Sequence, residues 1–191
     1  MRYHNSRRAI YIAPQRLADI IKHRGGNNVN WVGGDPTPNL PYILRVLQAL
    51  DKNVPQVWNS NMYCSSETMR ILDGIMDIYL TDFKYGNDNC AQRYSGIPNY
   101  WALVSRNHLL AYRQGTVIIR HLVIPDHIHC CSLPIIDWIA EHIPDAQVNI
   151  MNQYRPEYRS YAYPEINRRV SLHEYHLVLE HAQDYSLQLV N

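Results

Sequence analysis

Along this chain the apolar positions alternate between two spacings. Helical spacing, with apolar residues three and four apart, runs over Pro14 to Arg24 (Leu17, Ile20, Ile21) and is stopped by Gly25-Gly26. It returns over Leu40 to Leu50 (Ile43, Leu44, Leu47, Leu50), Ser65 to Leu72, Asn99 to Arg113, Cys131 to His142 and Ser171 to Tyr185. Ser65 has the residue type of an N-cap, and Ser171 with Glu174 forms a capping-box pattern. Between these stretches lie short runs that read as strands: Val29 to Val32, Gln56 to Asn61, Ile75 to Phe83, Val117 to Ile124 (VIIRHLVI) and Gln147 to Met151.

A helix followed by five strands, mostly separated by helices, predicts parallel strands joined by crossovers, hence an α/β fold. The near-continuous apolar strands suit a sheet with helices over one face. No repeat, low-complexity stretch or linker divides the chain, so residues 1–191 are read as one domain. A doubly wound sheet would gather its polar tips at one crevice. Here polar residues recur wherever a strand ends: Gly33-Gly34-Asp35, Asn59-Ser60-Asn61, Asp82 and Lys84, Asn152-Gln153. That favours an arc of a (βα) barrel. A full eight-unit barrel takes about 250 residues, so this length allows roughly six units. The chain opens on a helix where a parallel βα fold normally opens on a strand. The expectation is therefore a partial (βα)6 TIM-like barrel lacking its first strand, with a bare edge that a homodimer would cover.

Composition narrows the partners. The formal charge is +1, which gives no global pull toward nucleic acid or an anionic membrane. No apolar run nears the roughly 20 residues of a membrane span, and MRYHNSRR has no signal-peptide core, so a cytoplasmic address is expected. Cys64, Cys90, Cys130 and Cys131 have no C-x-x-C spacing and read as reduced thiols. Tyrosine is abundant (15 residues) and phenylalanine nearly absent (1), which by itself assigns no chemistry.

Several short patterns carry candidate chemistry. Gly33-Gly34-Asp35-Pro36-Thr37-Pro38 falls between a strand and a helix. Its glycines permit close approach to the backbone, and Asp35 can accept hydrogen bonds from an ammonium. A plain strand-to-helix turn explains the same six residues. Asp82 and Lys84, two apart, point to one side and suit either a zwitterionic ligand or an ordinary ion pair. Arg120, inside VIIRHLVI, reads as a buried guanidinium that needs an anion, either a ligand carboxylate or a structural aspartate. Asn59 and Asn61 share a side and suit ribose hydroxyls, or form a polar strand end. Asp126-His127-Ile128-His129-Cys130-Cys131 holds metal-ligand types, although adjacent cysteines rarely share one tetrahedral ion. The loop Gln153 to Tyr158 presents substrate contacts or packs.

Together VNWVGGDPTPNLPYIL, QVWNSNMY, DIYLTDFKYGND, VIIRHLVIP and NIMNQYRPEY resemble the radical S-adenosylmethionine superfamily, especially relatives of pyruvate formate-lyase activating enzyme. The resemblance runs from about Ile12 to the C-terminus. It implies S-adenosylmethionine across the strand tips. Gly33, Gly34 and Asp35 match the glycine-rich motif that holds the methionine ammonium, with Thr37 in the same turn. Ser60 and Asn61 fall at the ribose, Asp82 and Lys84 match a D-x-K motif that reaches the cofactor, and Arg120 matches an arginine that binds the methionine carboxylate.

The family's [4Fe–4S] cluster is held by C-x-x-x-C-x-x-C, which this sequence does not contain. Residues 1–11, with Tyr3-His4-Asn5, are read as a remnant of the cluster loop, through truncation or in a cluster-less descendant. The scatter of the four cysteines argues against their replacing the cluster ligands. The implied function is reductive cleavage of S-adenosylmethionine to a 5′-deoxyadenosyl radical, acting on a glycyl-radical enzyme or a small molecule and inactive in this chain. The alternatives are a cluster-less S-adenosylmethionine or nucleotide binding module and a metal-dependent hydrolase using His127, His129 and the nearby cysteines.

Overall fold

The computed structural model describes residues 10–190. The elements are α1 (Pro14–Arg24), β1 (Val29–Trp31), α2 (Leu40–Ala49), β2 (Gln56–Ser60), α3 (Ser66–Leu72), β3 (Ile78–Asp82), α4 (Asp88–Ser95), α5 (Tyr100–Gln114), β4 (Thr116–Leu122), a π turn (Ile128–Ser132) running into α6 (Leu133–His142), β5 (Gln147–Met151), α7 (Leu172–Asp184) and β6 (Gln188–Leu189). Residues 1–9, the bulk of the expected cluster-loop remnant, lie outside the described residues.

Local chemistry sets many of the boundaries. Pro14 stands at the first turn of α1, and Gly25 ends that helix in the left-handed conformation (φ 64°). Ser65 caps α3 by accepting from the Thr68 amide, and Ser171 and Glu174 form the reciprocal capping box of α7. Two elements go beyond the sequence expectation. Helix α4 has little apolar stripe, with only Ala91 buried, and is defined instead by its ends, Asn87 accepting from the Cys90 amide and Gly96 turning left-handed at φ 66°. A sixth strand, β6, pairs with β5 over two residues.

All six strands are parallel and lie in the order β1-β2-β3-β4-β5-β6. A doubly wound sheet reverses its strand order at a switch point; this sheet never does, which is the progression of a barrel arc. Among the described residues β1 pairs only with β2 and β6 only with β5, so the arc is open. The fold is a partial TIM-like barrel, with every strand pointing its C-terminal end at one rim.

The two faces of the sheet differ. Tyr79 and Thr81 on β3, Val117, Ile119 and His121 on β4, and Val148 and Ile150 on β5 are buried. They join Trp58, Phe83, Val104, Ile135, Ile136 and Ile139 in the main core. Each large apolar side chain buried there contributes roughly 2 kcal/mol. The alternate residues Leu80 and Asp82, Ile118 and Arg120, and Asn149 and Met151 are half-buried on the inside of the arc. Register sets Asp82 beside Arg120 and Arg120 beside Asn149.

Candidate functional site

Arg120 is not enclosed in the core. Its side chain keeps 28% of its exposure on the concave face, because VIIRHLVI is apolar on both sides of the strand and hides which side faces the helices. The guanidinium Nη2 donates to Asp82 Oδ1 at 2.8 Å and to Asn59 Oδ1 at 2.7 Å. Its Nε is buried with no hydrogen-bond partner. Asp82 Oδ2 also accepts from Lys84 Nζ at 3.1 Å, so the two charges expected on one side do meet. One carboxylate thus sits between two cations, and the set carries a net positive charge.

A second network joins the neighbouring strand tips. Asp35 accepts from the Thr37 amide (2.9 Å), the Ser60 hydroxyl (2.9 Å) and the Asn61 amide (3.0 Å). Its carboxylate therefore ties the turn after β1 to the end of β2, and Oδ1 retains acceptor capacity. Gly33 (φ 139°) and Gly34 (φ 80°) adopt backbone conformations that side chains resist, and the space where a Gly33 Cβ would stand is open. Thr37 Oγ1 is buried without a partner in this turn.

Above the rim opens a cavity of about 830 Å³. Asn61, Asp82 and Lys84 line it, together with Tyr63, Tyr85, Tyr100, Tyr154 and Tyr163. Gly33, Gly34, Asp35, Thr37, Ser60 and Arg120 do not line it directly. Arg120 reaches it through Asp82, and Asp35 and Ser60 through Asn61. The tyrosine wall is a feature the sequence reading left without a role. Tyr63 and Tyr100 stack at 6.5 Å with an 11° interplanar angle, and the Tyr100 hydroxyl accepts from the Lys84 amide. From the Gln153 to Tyr158 loop, Tyr154, Arg155, Glu157 and Tyr158 line the cavity.

The histidines expected near a metal are used otherwise. His127 is buried, its Nδ1 donating to the Pro125 carbonyl at 2.7 Å, and His129 is exposed. The group whose ligand atoms do converge is Cys90, Cys130 and Cys131, with all three sulfurs within 4.8 Å of one another. Sequence spacing gave no sign of this, since Cys90 stands forty residues before Cys130 and only the adjacency of the β3 and β4 rim loops joins them. Burial pushes the Cys130 and Cys131 thiols up; it pushes the more isolated Cys64 up to about 12.

No protein-family model matches the chain. An uncharacterized protein of Methanocaldococcus jannaschii is 51% identical over 179 residues, covering 93% of this chain and 53% of that protein. The chain thus spans about half the length of that relative. Among solved structures, a domain of pyruvate-formate lyase-activating enzyme from Bacteroides vulgatus aligns with TM-score 0.66 at 15% identity, over 86% of this chain and 98% of the domain. A radical SAM methyltransferase from Sphaerobacter thermophilus aligns with TM-score 0.54 at 13% identity, over 91% of this chain and 53% of that one. Both alignments show the shared fold, a parallel arc of a TIM-like barrel.

The two cofactors implied by the sequence resemblance fare differently against these residues. A zwitterionic nucleoside fits a half-open polar layer of Asn59, Asp82, Lys84 and Arg120 beside a cavity large enough for a ligand of that size. The cysteine triad does not fit a cubane, which places each thiolate on its own iron and splays the sulfurs outward.

Proposed function

We propose that the concave rim of this barrel is an S-adenosylmethionine site of the kind that serves radical hydrogen abstraction of the activating-enzyme type. The observation that carries the reading is the Asp82–Arg120–Lys84 constellation, a carboxylate between two cations, with Asp82 and Lys84 lining a roomy cavity and Arg120 behind Asp82. When bound, S-adenosylmethionine would supply a sulfonium-linked adenosyl group for one-electron chemistry, given an electron from an iron–sulfur donor. The protein's part is binding, orientation and exclusion of water.

Each residue then has a task. Arg120, already aimed by Asp82 and Asn59, grips the methionine carboxylate, and Lys84 adds a second positive charge. Asp35 and the open backbone at Gly33-Gly34 receive the ammonium, while Asp35 holds Ser60 and Asn61 toward the ribose. Thr37 gains a partner for its buried hydroxyl. The flat faces of the cavity tyrosines receive the adenine. The substrate in this reading is a protein glycine or a small molecule that enters over the same rim.

A second reading is a binding module without radical chemistry. It needs only the polar layer of Asn59, Asp82, Lys84 and Arg120 and no cluster ligand. Both readings require the cofactor site, so equilibrium dialysis of the chain with labelled S-adenosylmethionine, without iron, tests what they share. Saturable binding by the wild type is expected, weakened about tenfold to hundredfold in Arg120→Ala through loss of a charge-assisted contact. Absence of binding by the folded wild type, or equal binding by the variant, contradicts the assignment.

A further inference from the structure

Cys90, Cys130 and Cys131 do not line the cofactor cavity just described, and nothing assigned to that site uses them. Cys90 Sγ and Cys130 Sγ are 3.9 Å apart, as are Cys130 Sγ and Cys131 Sγ, and the third separation is within 4.8 Å. Zinc–thiolate bonds of about 2.3 Å in a tetrahedron require sulfur–sulfur separations of about 3.8 Å. We propose that these three cysteines form a mononuclear thiolate site for a soft divalent cation of the zinc type.

The surrounding structure is built to hold this arrangement. Consecutive side chains of a 3.6-residue helical turn point about 100° apart, which separates adjacent cysteines. Here Cys130 and Cys131 sit in the π turn, a wider turn that narrows the angle. Gly86 seats the β3–α4 loop against that turn: a Cβ there would lie 2.6 Å from Cys131 Cα and 2.8 Å from the Cys130 carbonyl oxygen. Asn87 then clamps both halves of the site. Its Nδ2 donates to the Cys130 carbonyl at 2.7 Å, and its Oδ1 accepts from the Cys90 amide at 2.8 Å. Cys131 is buried, Cys90 intermediate and Cys130 exposed, so the triad is anchored on one side and open to solvent on the other. Cys90 also lines a cavity of about 390 Å³ with Asp126 and His127, and the exposed side of the triad leaves the fourth position to a water molecule. This answers the sequence objection to adjacent cysteines: the third thiolate comes from the first turn of α4, and the π turn brings the pair together.

Anaerobic titration of the reduced, metal-free chain with Co2+, followed by displacement with Zn2+, tests the site. About one Co2+ per chain is expected, with thiolate-to-cobalt charge-transfer absorption that Zn2+ abolishes. Cys130→Ala, at an exposed position, should weaken binding by more than about tenfold and reduce that absorption, and Asn87→Ala should weaken it about tenfold. Cys64→Ala, outside the triad, should change neither. Circular dichroism melting of each variant separates loss of metal from loss of fold. No thiolate-to-cobalt absorption in the folded wild type, or unchanged absorption in folded Cys130→Ala, overturns the proposal. So would a Cys90–Cys130 disulfide that persists in the reduced protein, or anaerobic uptake of iron and sulfide as a cluster dependent on the same cysteines. S-adenosylmethionine binding is a separate readout, and its failure leaves this test standing.

Discussion

Arg120 and His121 are neighbours on β4 and meet opposite environments across one sheet. His121 faces the helices, where it is fully buried. Its Nδ1 donates to the Phe83 carbonyl at 2.7 Å and its Nε2 accepts from the Ser132 hydroxyl at 2.9 Å. Arg120 faces the inside of the open arc, where it keeps its charge, a carboxylate partner and part of its contact with water. The pair before them on β3 repeats the division. Thr81 donates to His108 Nε2 at 2.9 Å within the core, and Asp82 ion-pairs on the concave side. Burial drives both histidines to the neutral form, each pushed down to about 4. The closed face of the barrel admits polar groups that are neutral and fully hydrogen-bonded. The open face keeps charges that pair with one another and stay partly in contact with water.

The largest expected effect is on the closed face. Unfolded histidine takes up a proton near pH 6.5, while folded His108 and His121 resist until about pH 4. The unfolded state therefore binds more protons in that window, and stability falls as the pH drops through it. Each histidine contributes up to about 3 kcal/mol to the loss at 1.36 kcal/mol per unit. Urea midpoints measured from pH 7 to pH 4 should fall throughout, and a midpoint that stays level would break the comparison.

His121→Ala comes next, at about 3 kcal/mol, from the cavity and the unpaired Phe83 carbonyl and Ser132 hydroxyl. Thr81→Val keeps the shape but leaves His108 Nε2 without its donor, with an expected loss of about 1–2 kcal/mol by urea denaturation. On the concave face, Arg120→Ala should change stability by about 1 kcal/mol or less, as a part-exposed pair does, while removing most cofactor affinity. A larger stability loss in Arg120→Ala than in His121→Ala would mean that the open face serves the fold and not a ligand.

Much of this architecture was readable from residues. Pro14–Arg24 and Gln147–Met151 have the predicted bounds, and the alternation of strands with helices already implied the parallel arc. What escaped the reading had a physical reason. Helix α4 buries only Ala91, so no apolar periodicity marks it. β6 is two residues long. Residues that act alone, such as Asp82 beside Lys84, were legible because period-two geometry fixes their side. Arg120 was misjudged as buried because its strand is apolar on both faces. The cysteine triad and the tyrosine wall depend on which rim loops adjoin, and linear spacing does not carry that information.

Isothermal titration of S-adenosylmethionine into the wild type, Arg120→Ala and Thr81→Val tests the division of the two faces most directly. The account predicts binding by the wild type and by the less stable Thr81→Val, and its loss in Arg120→Ala at nearly unchanged stability. Binding that follows stability across the three proteins, or no binding to the folded wild type, would contradict it.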